Sequence, residues 1–286
     1  MRITKLHAPW SPGFWSPLMQ KKYGFESYST KRDKDLPVVV FGCYGRGTKR
    51  DVINHRGLCV IVWSGGDSVR LHEDFTFTEY CKINAHRIFH IAHSHWIQVD
   101  LAHYGLKFFD IVVIPVNLDT YSYEKACGDS VYHYGTHQRM WYYGTHIMKK
   151  LEKKWGQSNR YPNIHCTVQS GYKKPELYKL YKDSFIGVRL TEHDNMAMSV
   201  VEMGMMGRRS IFNGDVPCAI PYPCPVYDHY EPLTKNQWVW QDESLVGIVE
   251  KMIFDYRGTE PDPLLAEEMR EFIYDDEKWL DTKYYD

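Results

Sequence analysis

The sequence predicts an α/β protein made of two successive units in which buried strands alternate with helices. Three observations carry that reading. Continuous apolar runs recur at 36–41 (LPVVVF), 58–63 (LCVIVW), 110–116 (DIVVIPV) and 184–188 (SFIGV), the pattern of parallel strands covered on both faces. Helix-compatible stretches separate such runs at 76–84, 143–155, 175–181 and 198–206, which is the order of a parallel α/β sheet. The chain of 286 residues, 43% hydrophobic and 25% charged, is long enough for two ordinary globular domains.

Taken in order, the first unit holds strands at 36–41 and 58–63, a helix at 76–84, a strand at 87–92 and a strand at 110–116 that ends near a crossover. The stretch GCYGRG at 42–47 has phosphate-friendly glycines but neither dinucleotide nor Walker spacing. Gly65, Gly66 and Asp67 close the second strand. They read equally as a tight turn capped by Asp67 or as a backbone approach to a ligand, with Asp67 binding an acceptor hydroxyl. The second unit starts with a strand at 130–135 and the turn GTHQR at 135–139, then a helix over 143–155. A strand at 164–168, a helix at 175–181, a strand at 184–188, a helix at 198–206 stopped by Gly207, and a strand at 210–212 follow. The domains are therefore expected at 1–115 and 116–255, with 256–286 an acidic, amphipathic helical tail able to return to the first domain.

The most informative stretch is TEHDNMAMSVVEMGMMG at 191–207. Asp194 precedes Glu202 by eight positions, and the loop sits where a strand ends and a helix begins, the ligand-binding edge of open α/β sheets. Backbone N–H groups at the helix start, with Met198 and Ser199 in its first turn, suit a phosphate. Glu202 suits a ribose diol, and Glu202→Ala is expected to weaken nucleotide binding with the fold intact. An ordinary crossover with solvated acids fits the spacing equally well.

This stretch resembles the donor-site signature of retaining GT-B glycosyltransferases of family 4, in which an acidic residue, seven intervening residues, a Glu and a later Gly recur. Here the positions are Asp194, Glu202 and Gly207, and Asp194 departs from the usual Glu. The block IHCTV, Ser170, Gly171 and PELYKLY is similar to the same family's preceding segment. The resemblance implies two Rossmann-like domains facing a central cleft, with a shortened N-terminal domain. It implies transfer of a sugar from a UDP- or GDP-linked donor to an acceptor hydroxyl with retention, using no cofactor beyond the nucleotide sugar and no metal. Gly135 marks the first donor turn. The family's lysine at the next helix start is replaced by Tyr143, so the diphosphate cation is sought in Arg139 or Arg189, with Lys173, Gly171 and His193 nearby in sequence. Arg189 and Asp194, with Asp67 on the acceptor side, are the expected catalytic residues. Inverting transfer, nucleotide-sugar epimerisation, glucosylation of a modified DNA base, or nucleotide-sugar binding without turnover remain alternatives.

Bulk properties narrow the partners. A formal net charge of −1 argues against a nucleic-acid partner held by phosphate contacts, leaving a nucleotide sugar and a glycan or other hydroxyl acceptor. The seven cysteines lack metal-type pairing, and His93, Ser94 and His95 have no acidic cluster with them, so no metal is expected. Cys218 and Cys224 are expected as free thiols in a proline-stiffened loop. No signal-peptide core or membrane-length apolar run is found, and a cytoplasmic location is expected.

Overall fold

The computed structural model describes residues 1–9, 15–114, 116, 120–135, 142–156, 160–166, 174–191, 197–223 and 243–285. The chain divides into two compact units, one of Met1–Asn117 with Ile273–Asp286 and one of Leu118–Phe272.

In the first unit, β1 (Lys5–His7), α1 (Trp15–Tyr23), β2 (Glu26–Ser27), β3 (Val38–Phe41), α2 (Arg46–Asn54), β4 (Cys59–Val62), α3 (Phe75–Ile83), β5 (Ile88–Ile91) and α4 (His95–His103) follow one another. All strand pairings are parallel, in the order β2-β1-β3-β4-β5. Strand alternation sorts the apolar runs onto two faces. Val38, Val40, Cys59 and Ile61 join one core with Phe77 and Leu101. Val39, Phe41, Val60 and Val62 join the other with Met19 and Trp279. The last residues complete that second face: Ile3 N–H donates to Leu280 O at 2.7 Å, and Tyr23 and Trp279 both donate to Asp275, at 2.9 and 2.6 Å.

The second unit runs β6 (Ser130–His133), α5 (Thr145–Trp155), β7 (Asn163–Cys166), α6 (Lys174–Lys182), β8 (Ser184–Val188), α7 (Met198–Met205), β9 (Arg209–Ile211), β10 (Ala219–Ile220), α8 (Glu243–Tyr256) and α9 (Pro263–Phe272). Its sheet is parallel in the order β10-β9-β8-β6-β7. Val131, Ile147, Leu151, Ile186, Val188 and Val249 form its main core, which joins β6 and β8 to α5 and α8. The expected tail is split: α9 belongs to the second unit and 273–286 to the first.

One expected strand is absent. Residues 111–114 form no ladder, and among the described residues pairing beyond β5 is limited to a bridge between Ile91 and Phe109. The run was apolar for another reason: Val113 and Ile114 are 0% and 1% exposed, and Val113 packs into the Trp279 core. Burial alone does not distinguish a ladder strand from coil pressed onto a core.

Candidate functional site in the second unit

Strand order locates the site. From β6 the chain passes through α5 to β7 on one side, whereas β8 through α7 leads to β9 on the other. The order therefore reverses between β6 and β8, and open α/β sheets bind ligands at the carboxyl ends of such strands.

Residues at that edge are tied together. His133 ends β6, fully buried, with Nδ1 3.0 Å from Val188 O and Nε2 3.0 Å from Thr145 Oγ1. A carbonyl only accepts, so Nδ1 carries the proton and the Thr145 hydroxyl donates to Nε2. Burial pushes His133 down to about 4, so the ring is neutral in this arrangement. It joins β6, β8 and the start of α5. Gly135 permits the close approach, because a Cβ there would lie 2.3 Å from Thr145 Oγ1. Gly144, at φ +67, makes the left-handed turn into α5, and a Cβ there would lie 2.5 Å from Leu190 Cβ.

Arg189 follows β8 directly. Its backbone N–H donates to Ile211 O at 3.0 Å. Its guanidinium carbon lies 4.4 Å from the Tyr134 ring centre and 4.7 Å from that of Tyr143. Arg189 and Ser199, with Tyr132 and Met203, line one shallow hollow between β8 and α7. Ser199 is 9% exposed and Met198 half-buried. Ala197 at the start of α7 supplies no side-chain cap. Thus Gly135, Arg189, Met198 and Ser199 gather at the switch-point edge. Asp194, Arg139, Lys173, Gly171 and His193 lie outside the described residues, as does Cys224. Cys218 is a buried free thiol.

Glu202 is more deeply set than its expected role required. It is 6% exposed, and Tyr181 Oη donates to its Oε2 at 2.9 Å. Tyr181 in turn packs edge-on against Tyr132 at 4.8 Å. Burial and the Glu202 charge together push the Tyr121 hydroxyl above its ordinary range. Glu202→Ala also strands the Tyr181 hydroxyl in the interior, so a loss of stability should accompany the expected loss of nucleotide binding. Glu202→Ala is expected to cost about 1–3 kcal/mol of stability, read from urea denaturation. Glu202→Gln, which still accepts from Tyr181, should lose much less, and equal losses would remove the tyrosine contact as the cause.

Asp67 is also corrected. Its side chain is 0% exposed. Oδ2 accepts from Cys43 N at 2.7 Å, and Oδ1 accepts from Ser64 N at 3.0 Å and Ser68 N at 3.2 Å. Three backbone donors therefore occupy the carboxylate, which clamps the loops after β3 and β4 instead of meeting an acceptor. Ser68 Oγ extends the cluster by donating to Asp100 Oδ2 at 2.6 Å.

These buried groups set a pH dependence. Burial pushes Asp100 up to about 6, so the folded state holds its proton more tightly and stability falls as pH rises toward 6. His90, His93 and His133, each pushed down to about 4 by burial, act oppositely. Below the ordinary histidine value the unfolded chain binds their protons and the folded chain does not, so stability is lost as pH falls toward 4. Burial also raises Asp67 and lowers His7 and His55, so five lowered histidines stand against two raised aspartates. Urea midpoints should rise from about pH 4.5 to 6.5, and a flat or falling profile would contradict this balance.

Among the described residues, no three or more His, Cys, Asp or Glu side chains gather as metal ligands, and no helix is long and apolar enough to cross a membrane. No protein-family model matches the sequence, and no curated protein matches it. Solved structures do match. The chain is similar to HepE from Anabaena, crystallised with UDP and glucose, at TM-score 0.50 and 10% identity, over 93% of this chain and 90% of that one. It is also similar to sucrose-phosphate synthase from Thermosynechococcus elongatus, at TM-score 0.50 and 10% identity, over 94% and 73% of the two chains. Both are GT-B structures. At that identity the likeness defines the fold, an α/β architecture of two Rossmann-like domains.

Proposed function

We propose that this chain is a glycosyltransferase that moves a sugar from a UDP- or GDP-linked donor to an acceptor hydroxyl, with retention at the anomeric carbon. The observation that carries the reading is Arg189, held by two rings at the β6/β8 switch point beside the start of α7. It stands in a chain whose fold matches, over nearly its full length, a structure crystallised with UDP and glucose.

In this reading the first amides of α7 and the Arg189 guanidinium meet the diphosphate, where negative charge grows as the anomeric C–O bond breaks. The acceptor oxygen forms the new bond on the same face. Its proton passes to the departing phosphate oxygen, so no protein nucleophile is required. Glu202 accepts from the ribose hydroxyls, and Asp194 from the sugar. Because cations and backbone dipoles carry the leaving charge, no metal or cofactor takes part, and chelator should leave turnover unchanged.

Calorimetry with UDP and GDP, followed by turnover with a panel of their sugars and anomer analysis of the product, tests the proposal. Binding of one nucleotide with turnover and a retained anomer is expected. An inverted product would remove retention, and absence of binding to either nucleotide would remove the donor assignment. A non-catalytic nucleotide-sugar-binding module is the second reading. It is favoured by the engagement of Asp67 with backbone amides, which withdraws the one acceptor-side acid expected from sequence. Binding without turnover would select it.

A further inference from the structure

Two tyrosines at opposite ends of the β6–α5 connection converge on one arginine. Tyr134 follows β6 directly, and Tyr143 stands just ahead of α5. Their ring centres are 5.0 Å apart at an interplanar angle of 87°, which makes an aromatic corner. The Arg189 guanidinium carbon sits in that corner, 4.4 and 4.7 Å from the two ring centres. Tyr142 packs edge-on against Tyr143 at 5.0 Å.

The corner is fixed to the strand that leads into Arg189. The left-handed turn at Gly144 brings the chain after Tyr143 against Leu190, the residue next to Arg189. The His133 ring bonds at once to Val188 and Thr145, so the two ends of the connection cannot drift from β8. Ring faces attract a cation through their quadrupole. An arginine restrained in this way keeps a planar, charged fork suited to two phosphate oxygens.

We propose that Tyr134 and Tyr143 are positioning residues that hold the Arg189 guanidinium, charged and oriented, for the diphosphate of a sugar nucleotide. The proposal rests on the donor-site reading above and deepens it by assigning two residues whose rings act through Arg189 and do not touch the reacting atoms.

A double-mutant cycle tests it. Tyr143→Leu removes the ring and keeps an apolar side chain, and should lower kcat about tenfold with little change in donor KM. Tyr143→Phe keeps the ring and should restore most of the rate, with the same pair of changes at Tyr134 behaving alike. In the Arg189→Ala background, Tyr143→Leu should have almost no further effect, because its role is exerted through the arginine. Equal losses in the Phe and Leu variants, or a full further loss in the double variant, would overturn the assignment. The NMR signal of Arg189 Nε–H gives a readout independent of turnover. Ring currents should displace it in the wild type and in Tyr143→Phe, and titration with inorganic pyrophosphate should move it there but not in Tyr143→Leu. Wild-type protein that shows the pyrophosphate response and binds neither UDP nor GDP would sink the donor reading while sustaining the corner. Absence of the response in wild type would sink the corner itself.

Discussion

Arg189→Ala is expected to lower kcat for sugar transfer by about 10²-fold or more, with a smaller change in donor KM. Charge on the diphosphate increases as the anomeric bond breaks, so a cation aimed there interacts more strongly with the transition state than with the bound donor. Arg189 is suited to that difference because its guanidinium is already confined by Tyr134 and Tyr143 before any ligand arrives, and a preorganised charge requires no reorganisation during reaction. Arg189→Lys should recover only part of the rate, since an ammonium lacks the two-pronged geometry. Steady-state kinetics with the donor found by calorimetry gives the answer. Near-normal turnover in Arg189→Ala would move the role to Arg139 or Lys173.

Strands buried on both faces were legible because a parallel sheet between two apolar layers makes every residue of VVVF, CVIV and SFIGV apolar or small. The first strand was not legible. β1 is three residues long and reads KLH, with only its leucine buried, yet it pairs with both β2 and β3 at the turning point of its sheet. Its place is set by neighbours remote in sequence. The reverse error at 110–116 has the same root, since burial there comes from packing and not from a ladder.

The site divides in a similar way. Arg189 was legible as a cation at a strand end, because that placement depends on local order alone. Its ring corner was not, because Tyr134 and Tyr143 reach it across the sheet, although the aromatic flanks of the 135–144 turn carried a signal: cations settle on ring faces. Asp67 misled because a Gly-Gly-Asp turn looks the same whether its carboxylate faces solvent or the backbone. Only the fold showed Cys43 N–H arriving from another strand's end. Glu202 was placed on the right helix, α7, but the tyrosine from α6 that meets it could not be read from the helix's own sequence.

Arg208→Ala should produce the largest loss of stability of any single change considered, about 3–5 kcal/mol. In the sequence this residue merely separates a helix from a strand, yet it is 1% exposed. Its Nε donates to Ser184 O at 2.9 Å, Nη1 to Met206 O at 2.9 Å, and Nη2 to Ala126 O at 2.7 Å and Lys182 O at 3.3 Å. Those carbonyls belong to the start of β8, the residue that caps α7, the 120–130 segment and the end of α6. Truncation leaves them buried without these donors and opens a cavity at the point where four elements meet. Arg208→Lys cannot repair this, because one ammonium cannot span carbonyls that a planar fork reaches on three sides. Urea denaturation should show both variants far below wild type, with Lys closer to Ala than to Arg. The same segment carries Tyr121, whose backbone carbonyl accepts from Arg270 Nη2 at 2.8 Å and whose hydroxyl responds to the Glu202 charge. Loosening it should therefore disturb the surroundings of Glu202 in whatever protein remains folded. An unfolding free energy within about 1 kcal/mol of wild type would mean that water or neighbouring amides replace the guanidinium, and that the segment carrying Tyr121 is held by Arg270 instead.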